Sequence, residues 1–254
     1  MKTSLEICPI CKNTGWMVYV KDGIYYVREC KCGILKRDIH NRRIRFAEIP
    51  EIYKDARLDN FKKSVYKEQK SKEMIIEVAM AIRYWLQNFK EMKERGIGLY
   101  IYSATKGSGK TRLIASIANE LIYKYETQVK FTTSIQILQE IKQSWKDKEN
   151  SERKLLDYLE TTDVLVIDDF GTEGIKDWID EKFYSVINSR YTNKKITLFT
   201  SNMKLSDLQY DSRITDRIKE RSLQIPFPEE SVRDTLALEL KTELIEGIKK
   251  GGIQ

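Results

Sequence analysis

The run "SATKGSGKTR" at residues 103–112 constrains what this chain can fold into more than any other stretch. A loop that ends in Gly-Lys-Thr holds phosphate oxygens when a buried strand precedes it and a helix follows it. Both neighbours are predicted, because "GLYIYS" (98–103) has the pattern of a buried strand and a helix is predicted from the loop to about residue 125. The glycines let backbone N–H groups point inward at an anion. We predict a working phosphate site, although Ala104 stands where the motif usually has its first glycine.

Strands and helices alternate along the remainder of the chain. Apolar side chains recur at helical spacing over 72–95, and the apolar run "DVLVIDD" (163–169) has the pattern of a buried parallel strand. Further helices are predicted near 134–147, 151–160, 177–193 and 230–248, and further strands at 128–133, 196–201 and 222–227. The alternation predicts an α/β fold with a five-stranded parallel sheet flanked by helices.

Polar residues follow two of the predicted buried strands. Asp168 ends one apolar run, where its carboxylate could hold a Mg²⁺ ion together with the Thr111 hydroxyl. Asp169 could orient an attacking water, and Asn202, just after the next strand, could contact the γ-phosphate or that water. The alternatives are an ordinary acidic turn for the aspartates and a helix N-cap or turn for the asparagine.

Basic residues complete the predicted site, with Lys110 placed to bridge the β- and γ-phosphates. The residues predicted to contact nucleotide are Thr105, Lys106, Gly107, Ser108, Gly109, Lys110, Thr111, Arg112, Asp168 and Arg233. Arg213, Arg217 and Arg221 recur every four residues along one helix face. Their spacing fits either a solvated basic face or an arginine that reaches the γ-phosphate of a neighbouring subunit. Arg233 opens the last predicted helix and could contact nucleotide in its own subunit.

The four cysteines all lie within the first 32 residues, at Cys8, Cys11, Cys30 and Cys32. Two close pairs of thiolates are typical of a tetrahedral zinc site, although the second pair has one spacer residue instead of the commoner two. The intervening "NTGWMVYVKDGIYYVRE" alternates apolar and polar residues around Asp22-Gly23, which predicts a hairpin. We therefore predict a small zinc ribbon, with disulfide pairing as the alternative.

The charge balance and hydropathy exclude some classes of protein. The chain has 254 residues with 45 basic and 38 acidic side chains, and its net charge of +7 fits an anionic partner such as nucleic acid or merely a basic surface. No stretch approaches the ~20 apolar residues of a membrane span. The N-terminus lacks the apolar core of a signal peptide, so we expect a cytoplasmic protein with no membrane partner.

An ordered set of motifs resembles the AAA+ ATPases, specifically the DnaC/DnaI-type replicative helicase loaders. The set comprises "CPICKNTGW", "RECKCG", "ATKGSGKT", "LVIDDFGTE", "DWIDEKFYSVINSRY", "TSNMKLSDL", "SRITDRI" and "SVRD". The resemblance implies that Lys110 and Thr111 belong to Walker A, Asp168 and Asp169 to Walker B, Asn202 to sensor 1 and Arg233 to sensor 2. It implies an arginine finger at Arg217, with Arg213 as the rival. Asp169 stands where many AAA+ proteins have glutamate, and slow hydrolysis is expected.

The resemblance implies an ATP-dependent loader that uses ATP, Mg²⁺ and Zn²⁺, binds a hexameric replicative helicase and single-stranded DNA, and self-associates through the ATP interface. It implies a zinc-binding and helicase-docking region at 1–46, a linker at 47–70 and an AAA+ domain at 71–254. The ribbon and a basic run are candidates for contact with the helicase or with DNA, and the interleaved apolar residues suit an amphipathic docking helix. These residues are Lys36, Arg37, Arg42, Arg43 and Arg45 with Ile34, Leu35, Ile39 and Phe46. His40 is expected to be a surface residue or to fill space on the helix, not to be a ligand.

Three alternatives remain open. An IstB-type transposase-helper ATPase shares the core, but the zinc ribbon favours the loader. An origin-binding initiator is disfavoured, because the 21 residues after Arg233 are too few for a helix-turn-helix domain. A zinc adaptor with a nucleotide fold that does not hydrolyse ATP would be distinguished by its lack of ATP turnover.

Overall fold

The computed structural model describes residues 7–145, 151–174 and 177–250. Its strands are β1 (Trp16–Lys21), β2 (Ile24–Glu29), β3 (Gly98–Tyr102), β4 (Val129–Thr133), β5 (Val164–Asp168), β6 (Ile196–Ser201) and β7 (Ser222–Pro226). Its helices are α1 (Ile34–Ala47), α2 (Gln69–Gln87), α3 (Phe89–Arg95), α4 (Lys110–Tyr123), α5 (Ser134–Ser144), α6 (Ser151–Thr161), α7 (Asp177–Thr192), α8 (Ser212–Arg221) and α9 (Arg233–Lys250). None of these described helices has the length and apolar character that crossing a membrane requires.

Strands β3 to β7 form one parallel sheet in the order β4-β5-β6-β3-β7, which confirms the predicted five-stranded α/β fold. Strand β3 lies between β6 and β7, so the chain crosses over the sheet to reach its neighbours. Tyr102 at the end of β3 pairs with Ser201 of β6 and Pro226 of β7. The loops that follow these strands therefore meet at one edge of the sheet, where ligands of open α/β sheets bind.

Each face of the sheet is covered by its own apolar cluster. Leu99 and Ile101 of β3 point to the face that α2 and α4 cover, whereas Tyr100 points to the face that α7 covers. All three side chains are fully buried. Burial on both faces explains why the inner strands β3 and β5 are continuous apolar runs rather than alternating patterns.

The single helix predicted over 72–95 is two helices. Asn88, with φ −100° and ψ 21°, leaves the helical region between α2 and α3, and its side-chain amide donates to the Tyr84 carbonyl at 2.9 Å. The break allows Phe89 and Met92 to turn into the core that α2 already contacts. The prediction was wrong here because helical spacing continues across the break. The helix predicted over 134–147 ends at Ser144 among the described residues, and 146–147 lie outside them.

The segment 47–70, which was predicted to be a linker, packs against the parallel-sheet domain. Tyr66 is fully buried in the cluster between α2 and α4. The Asn119 amide donates to the Tyr53 and Ala56 carbonyls, both at 2.9 Å. The segment is therefore held to the parallel-sheet domain along its length, while the domain boundaries themselves stay a prediction.

The N-terminal hairpin forms as predicted around Asp22-Gly23. Strands β1 and β2 pair antiparallel, and both turn residues have positive φ (52° and 75°), as a type I′ turn requires. Helix α1 follows and packs one side on the larger domain, where the rings of Phe46 and Tyr158 lie 4.9 Å apart. His40 contacts Tyr123 with ring centroids 4.5 Å apart, so it packs against a neighbouring helix.

Candidate nucleotide site and four-cysteine centre

The phosphate loop joins β3 to α4 and owes its shape to two glycines. Gly107 and Gly109 have φ of +76° and +105°, which other residues rarely adopt. A Cβ at Gly107 would lie 2.6 Å from the Arg233 guanidinium Nε, so a side chain here would also displace Arg233. Ala104 is not among the residues with positive φ. Alanine therefore introduces no backbone strain at the position where the motif usually has glycine.

Lys110 is buried at the centre of the loop. Its ammonium donates to the Ser103 carbonyl (3.1 Å), the Thr105 carbonyl (3.0 Å) and the Ser108 hydroxyl (3.3 Å). Burial lowers the pKa of this ammonium, and the carboxylates of Asp169, Glu229 and Asp168 oppose the shift. The loop thus holds a cation that is surrounded by carbonyl dipoles, with carboxylates nearby. This cation can bind an anion that enters the loop.

Asp168 lies at the end of β5, directly opposite Thr111. The Thr111 hydroxyl donates to Asp168 Oδ1 at 3.1 Å, and Thr200 on β6 donates to the same oxygen. Burial raises the pKa of Asp168 to about 6; the Thr200 hydrogen bond opposes this and the Asp169 charge adds to it. A hydroxyl and a carboxylate at hydrogen-bond distance are oxygen ligands that fit Mg²⁺, and binding needs the ionised carboxylate.

An open cavity of about 590 Å³ extends from the phosphate loop. Its walls include Lys106, Gly107, Ser108, Gly109, Lys110, Thr111, Arg112, Asp169, Thr172, Asn202, Arg233, Ile52, Tyr53, Val232 and Leu236. The last four are apolar or aromatic, whereas most of the others are polar. The lining therefore combines phosphate-binding groups with apolar side chains that could contact a planar base.

Two predicted residues beside the metal ligands reach this cavity. Asp169 has φ +54°, and its N–H donates to the Thr200 hydroxyl at 2.9 Å, which fixes the turn after β5. Asn202 follows β6 and lines the same cavity. Their roles with water and phosphate stay predictions. Among the residues predicted to contact nucleotide, Thr105 and Asp168 do not line the cavity, and Thr105 instead donates to Glu229.

Arg233 begins α9 and lies over the phosphate loop. The neighbouring Val232 N–H donates to the Gly107 carbonyl at 3.1 Å, so the start of the helix is tied to the loop. The Arg233 side chain is exposed along the cavity wall. This position is compatible with the predicted contact to a nucleotide in the same subunit.

The arginines of α8 lie elsewhere, against α7. Neither Arg213 nor Arg217 is among the described residues that line the cavity. Arg217 donates to the Asn188 side chain at 2.8 Å and to the Tyr184 hydroxyl at 3.2 Å. Arg213 forms an ion pair with Asp211 at 2.8 Å, which lowers the pKa of that carboxyl to about 2.

Sequence reasoning missed several residues that shape the site. Tyr66 donates to the Ser108 carbonyl at 2.7 Å, and Glu229 accepts hydrogen bonds from the start of the loop. Ile52 and Tyr53 contribute apolar and aromatic surface to the cavity wall. Thr200, which donates to Asp168, was also missed, but it could have been found from the sequence. It lies two residues before Asn202, at the end of a predicted strand.

The four cysteines converge as predicted. Their Sγ atoms all lie within 4.8 Å of one another, with Cys8–Cys30 at 3.9 Å and Cys11–Cys32 at 3.6 Å. A tetrahedron with Zn–S bonds of about 2.3 Å has edges of about 3.8 Å, so the cluster fits zinc. Disulfide sulfurs lie about 2.05 Å apart, and all four thiols here are free.

The chain is similar to known proteins in sequence and in fold. The family of the bacterial DnaA ATPase domain matches residues 54–224. The replicative helicase loader DnaI of Bacillus subtilis (strain 168) is 34% identical over 125 residues, covering 48% of this chain and 39% of DnaI. The chain thus spans well under half the length of that curated relative.

Two solved structures share the fold. The crystal structure of the DnaC helicase loader matches with a TM-score of 0.59 at 25% identity, covering 70% of this chain and 100% of that one. A structure of the replication initiator DnaA bound to AMPPCP and single-stranded DNA matches with a TM-score of 0.56 at 18% identity, covering 77% and 56%. The chain therefore belongs to the AAA+ family of the bacterial DnaA ATPase domain, and it is similar to the DnaC and DnaI helicase loaders in sequence and fold.

Proposed function

We propose that this chain is an ATP-dependent replicative helicase loader that holds a helicase and single-stranded DNA during replication initiation. The observation that carries the proposal is the combination of a nucleotide-type cavity with a four-cysteine ribbon in a chain of the DnaA ATPase-domain family that is similar to the DnaI and DnaC loaders. The ribbon favours the loader over a transposase helper, which would need only the ATPase core.

ATP binding follows from the chemistry of the cavity. Lys110 exchanges its carbonyl partners for the β- and γ-phosphates, while Thr111 and Asp168 hold Mg²⁺. The metal, when bound, neutralises charge that develops on the phosphates. Asp169 orients the attacking water from the turn after β5. Its side chain is shorter than that of glutamate, so we expect slow hydrolysis, which suits a switch.

The position of the α8 arginines supports self-association. Arg213 and Arg217 do not line the cavity of their own subunit among the described residues. Both lie within 5 Å of the Tyr184 ring, at 4.6 and 4.9 Å from its centroid, so the pair shares one aromatic support. We propose that one of them reaches the nucleotide of a neighbouring subunit, which couples assembly to ATP.

The ribbon offers an apolar face for the helicase. Val18 pairs with Val27 and Val20 with Tyr25, and these four side chains are exposed by 57 to 76%. Their arrangement on one face of the hairpin leaves a patch with no cover among the described residues. Arg37 and Arg42 of α1, the helix that follows the hairpin, are also exposed.

A second surface fits single-stranded DNA. The rings of Trp145 and Trp178 lie 5.2 Å apart at an angle of 68°, and Trp145 is 54% exposed. The Lys142 ammonium lies 5.4 Å from the centroid of Trp178. Trp178 is half-buried, so Trp145 offers the exposed indole of this cluster. An exposed indole beside a cation suits sequence-independent binding of single strands, and we propose this cluster for that contact.

Capture of the cognate replicative helicase by the immobilised chain tests the function. We expect the wild-type chain to retain the helicase and, with ATP, to transfer it to single-stranded DNA. The double variant Val20→Ser/Tyr25→Ser should lose at least about tenfold in affinity, since it removes the apolar patch. Tyr19→Ser/Tyr26→Ser, a cross-strand pair on the opposite face, is the matched control. No retention of the helicase by the wild-type chain would contradict the loader proposal.

Zinc content tests the ribbon separately. We expect one zinc ion per chain, and Cys30→Ser should release it and unfold the N-terminal segment, because so small a segment needs the metal to fold. The ATPase domain should persist, with its thermal transition unchanged. Lys31→Ser, between two ligands, should keep zinc. Protein purified without chelators that contains no zinc on elemental analysis would refute the ribbon.

A further inference from the structure

Glu229 is bound to the start of the phosphate loop by four hydrogen bonds. One carboxylate oxygen accepts from the Ala104 N–H at 2.9 Å. The other accepts from the Thr105 N–H at 2.8 Å, the Thr105 hydroxyl at 2.9 Å and the Ser103 hydroxyl at 3.1 Å. Burial works to raise the pKa of Glu229, but these donors outweigh it and hold the pKa below its usual value.

Two of these three residues, Ser103 and Thr105, are also held by Lys110. Its ammonium binds the Ser103 and Thr105 carbonyls, while Glu229 binds the donors of these residues. A bound nucleotide draws the ammonium toward its phosphates, and those carbonyls then lose their cation. Glu229 makes no contact that the phosphates would replace, because Ala104 and Thr105 do not line the cavity among the described residues.

We propose that Glu229 is a positioning residue that fixes the entry of the phosphate loop when Lys110 engages nucleotide, a role that rests on the proposed ATP binding. It lies four residues before Arg233, so the same short segment sets both the loop entry and the arginine over Gly107. The Glu229 bond to Ala104 also explains how the loop tolerates alanine in place of its first glycine. The carboxylate holds that backbone in place, so glycine flexibility is not needed there.

Titration of a fluorescent ATP analogue, together with steady-state hydrolysis, tests the proposal. Glu229→Ala should raise the Kd by about 10- to 100-fold, the range expected for lost hydrogen bonds to a charged group. The kcat at saturation should change by less than about threefold, because the carboxylate does not touch the transferring phosphoryl group. Glu229→Gln keeps one oxygen acceptor and should fall between. Glu230→Gln is the control, since Glu230 binds the N–H groups of Lys67 and Glu68 instead.

A double-mutant cycle with Ala104→Gly isolates the coupling. Alone, Ala104→Gly should change the Kd by less than about tenfold, because the native loop is already intact. Combined with Glu229→Ala, it should raise the Kd by several-fold more than the two single changes predict, since neither alanine nor carboxylate then restrains the loop. Additive effects, or tighter ATP binding in Glu229→Gln, would overturn the positioning role. A wild-type chain that binds no analogue would overturn the ATP proposal itself.

Discussion

Lys110→Ala should raise the Kd for ATP by about 10²–10⁴-fold. The ammonium is expected to make two charge-assisted hydrogen bonds to the β- and γ-phosphates, each worth about 1.5–3 kcal/mol. The substitution also leaves the Ser103 and Thr105 carbonyls without their cation. Equilibrium titration with a fluorescent ATP analogue measures the loss. Hydrolysis and ATP-dependent helicase transfer should both disappear at concentrations that saturate the wild-type chain.

A matched lysine separates this effect from a change in net charge. Lys90 on α3 is exposed and lies outside the cavity, so Lys90→Ala should bind ATP as the wild-type chain does. The thermal transition of Lys110→Ala should be measured in parallel, because the buried carbonyls lose partners. A folded Lys110→Ala chain that binds ATP within threefold of the wild type would show that this cavity is not the ATP site.

Arg217→Ala should bind ATP normally in its own subunit and hydrolyse it poorly. An arginine that acts on a neighbour's nucleotide stabilises charge on the transferring phosphoryl group, an effect worth ~10³–10⁵ in well-studied hydrolases and less in a slow loader. The side chain also contacts Asn188 and Tyr184 within its own subunit. Arg217→Gln, which keeps hydrogen-bonding capacity without charge, guards against a loss that reflects packing alone.

Mixing the two inactive proteins tests action between subunits directly. In a mixed interface, the Lys110→Ala subunit supplies the arginine and the Arg217→Ala subunit supplies the intact phosphate loop. Partial recovery of turnover is therefore expected on mixing. No recovery, with both proteins folded and able to associate, would argue against a finger at Arg217. Arg221→Ala on the same helix should retain turnover and serves as the control.

The same experiment with Arg213→Ala decides between the two candidate arginines. In the isolated chain Arg213 is more exposed than Arg217 but is paired with Asp211. Use of Arg213 would therefore require exchange of that carboxylate for a phosphate. If Arg213→Ala rather than Arg217→Ala recovers on mixing, the finger is Arg213.

Elements that depend only on neighbouring residues in the chain could be predicted without the structure. The five strands, the loop with its glycines and Lys110, and the hairpin at Asp22-Gly23 each depend on residues that are adjacent in the chain. The carboxyl ends of parallel strands share one edge of the sheet, so the aspartates and the asparagine at strand ends were expected near one another. The order of the strands came only from the structure. The cysteine spacing likewise predicted a cluster that the fold brings together.

The residues that support the phosphate loop from distant parts of the chain could be identified only from the folded structure. Glu229 reaches Ala104 across 125 positions, and Tyr66 reaches Ser108 across 42. Neither contact can be recognised in the sequence from periodicity or composition. A single carboxylate or hydroxyl is enough to bind a backbone group, and a single residue forms no pattern. The break at Asn88 and the packing of 47–70 are stabilised by burial against a sheet that forms from distant parts of the chain. Local propensity does not depend on the surface of that sheet, so it could not predict either feature.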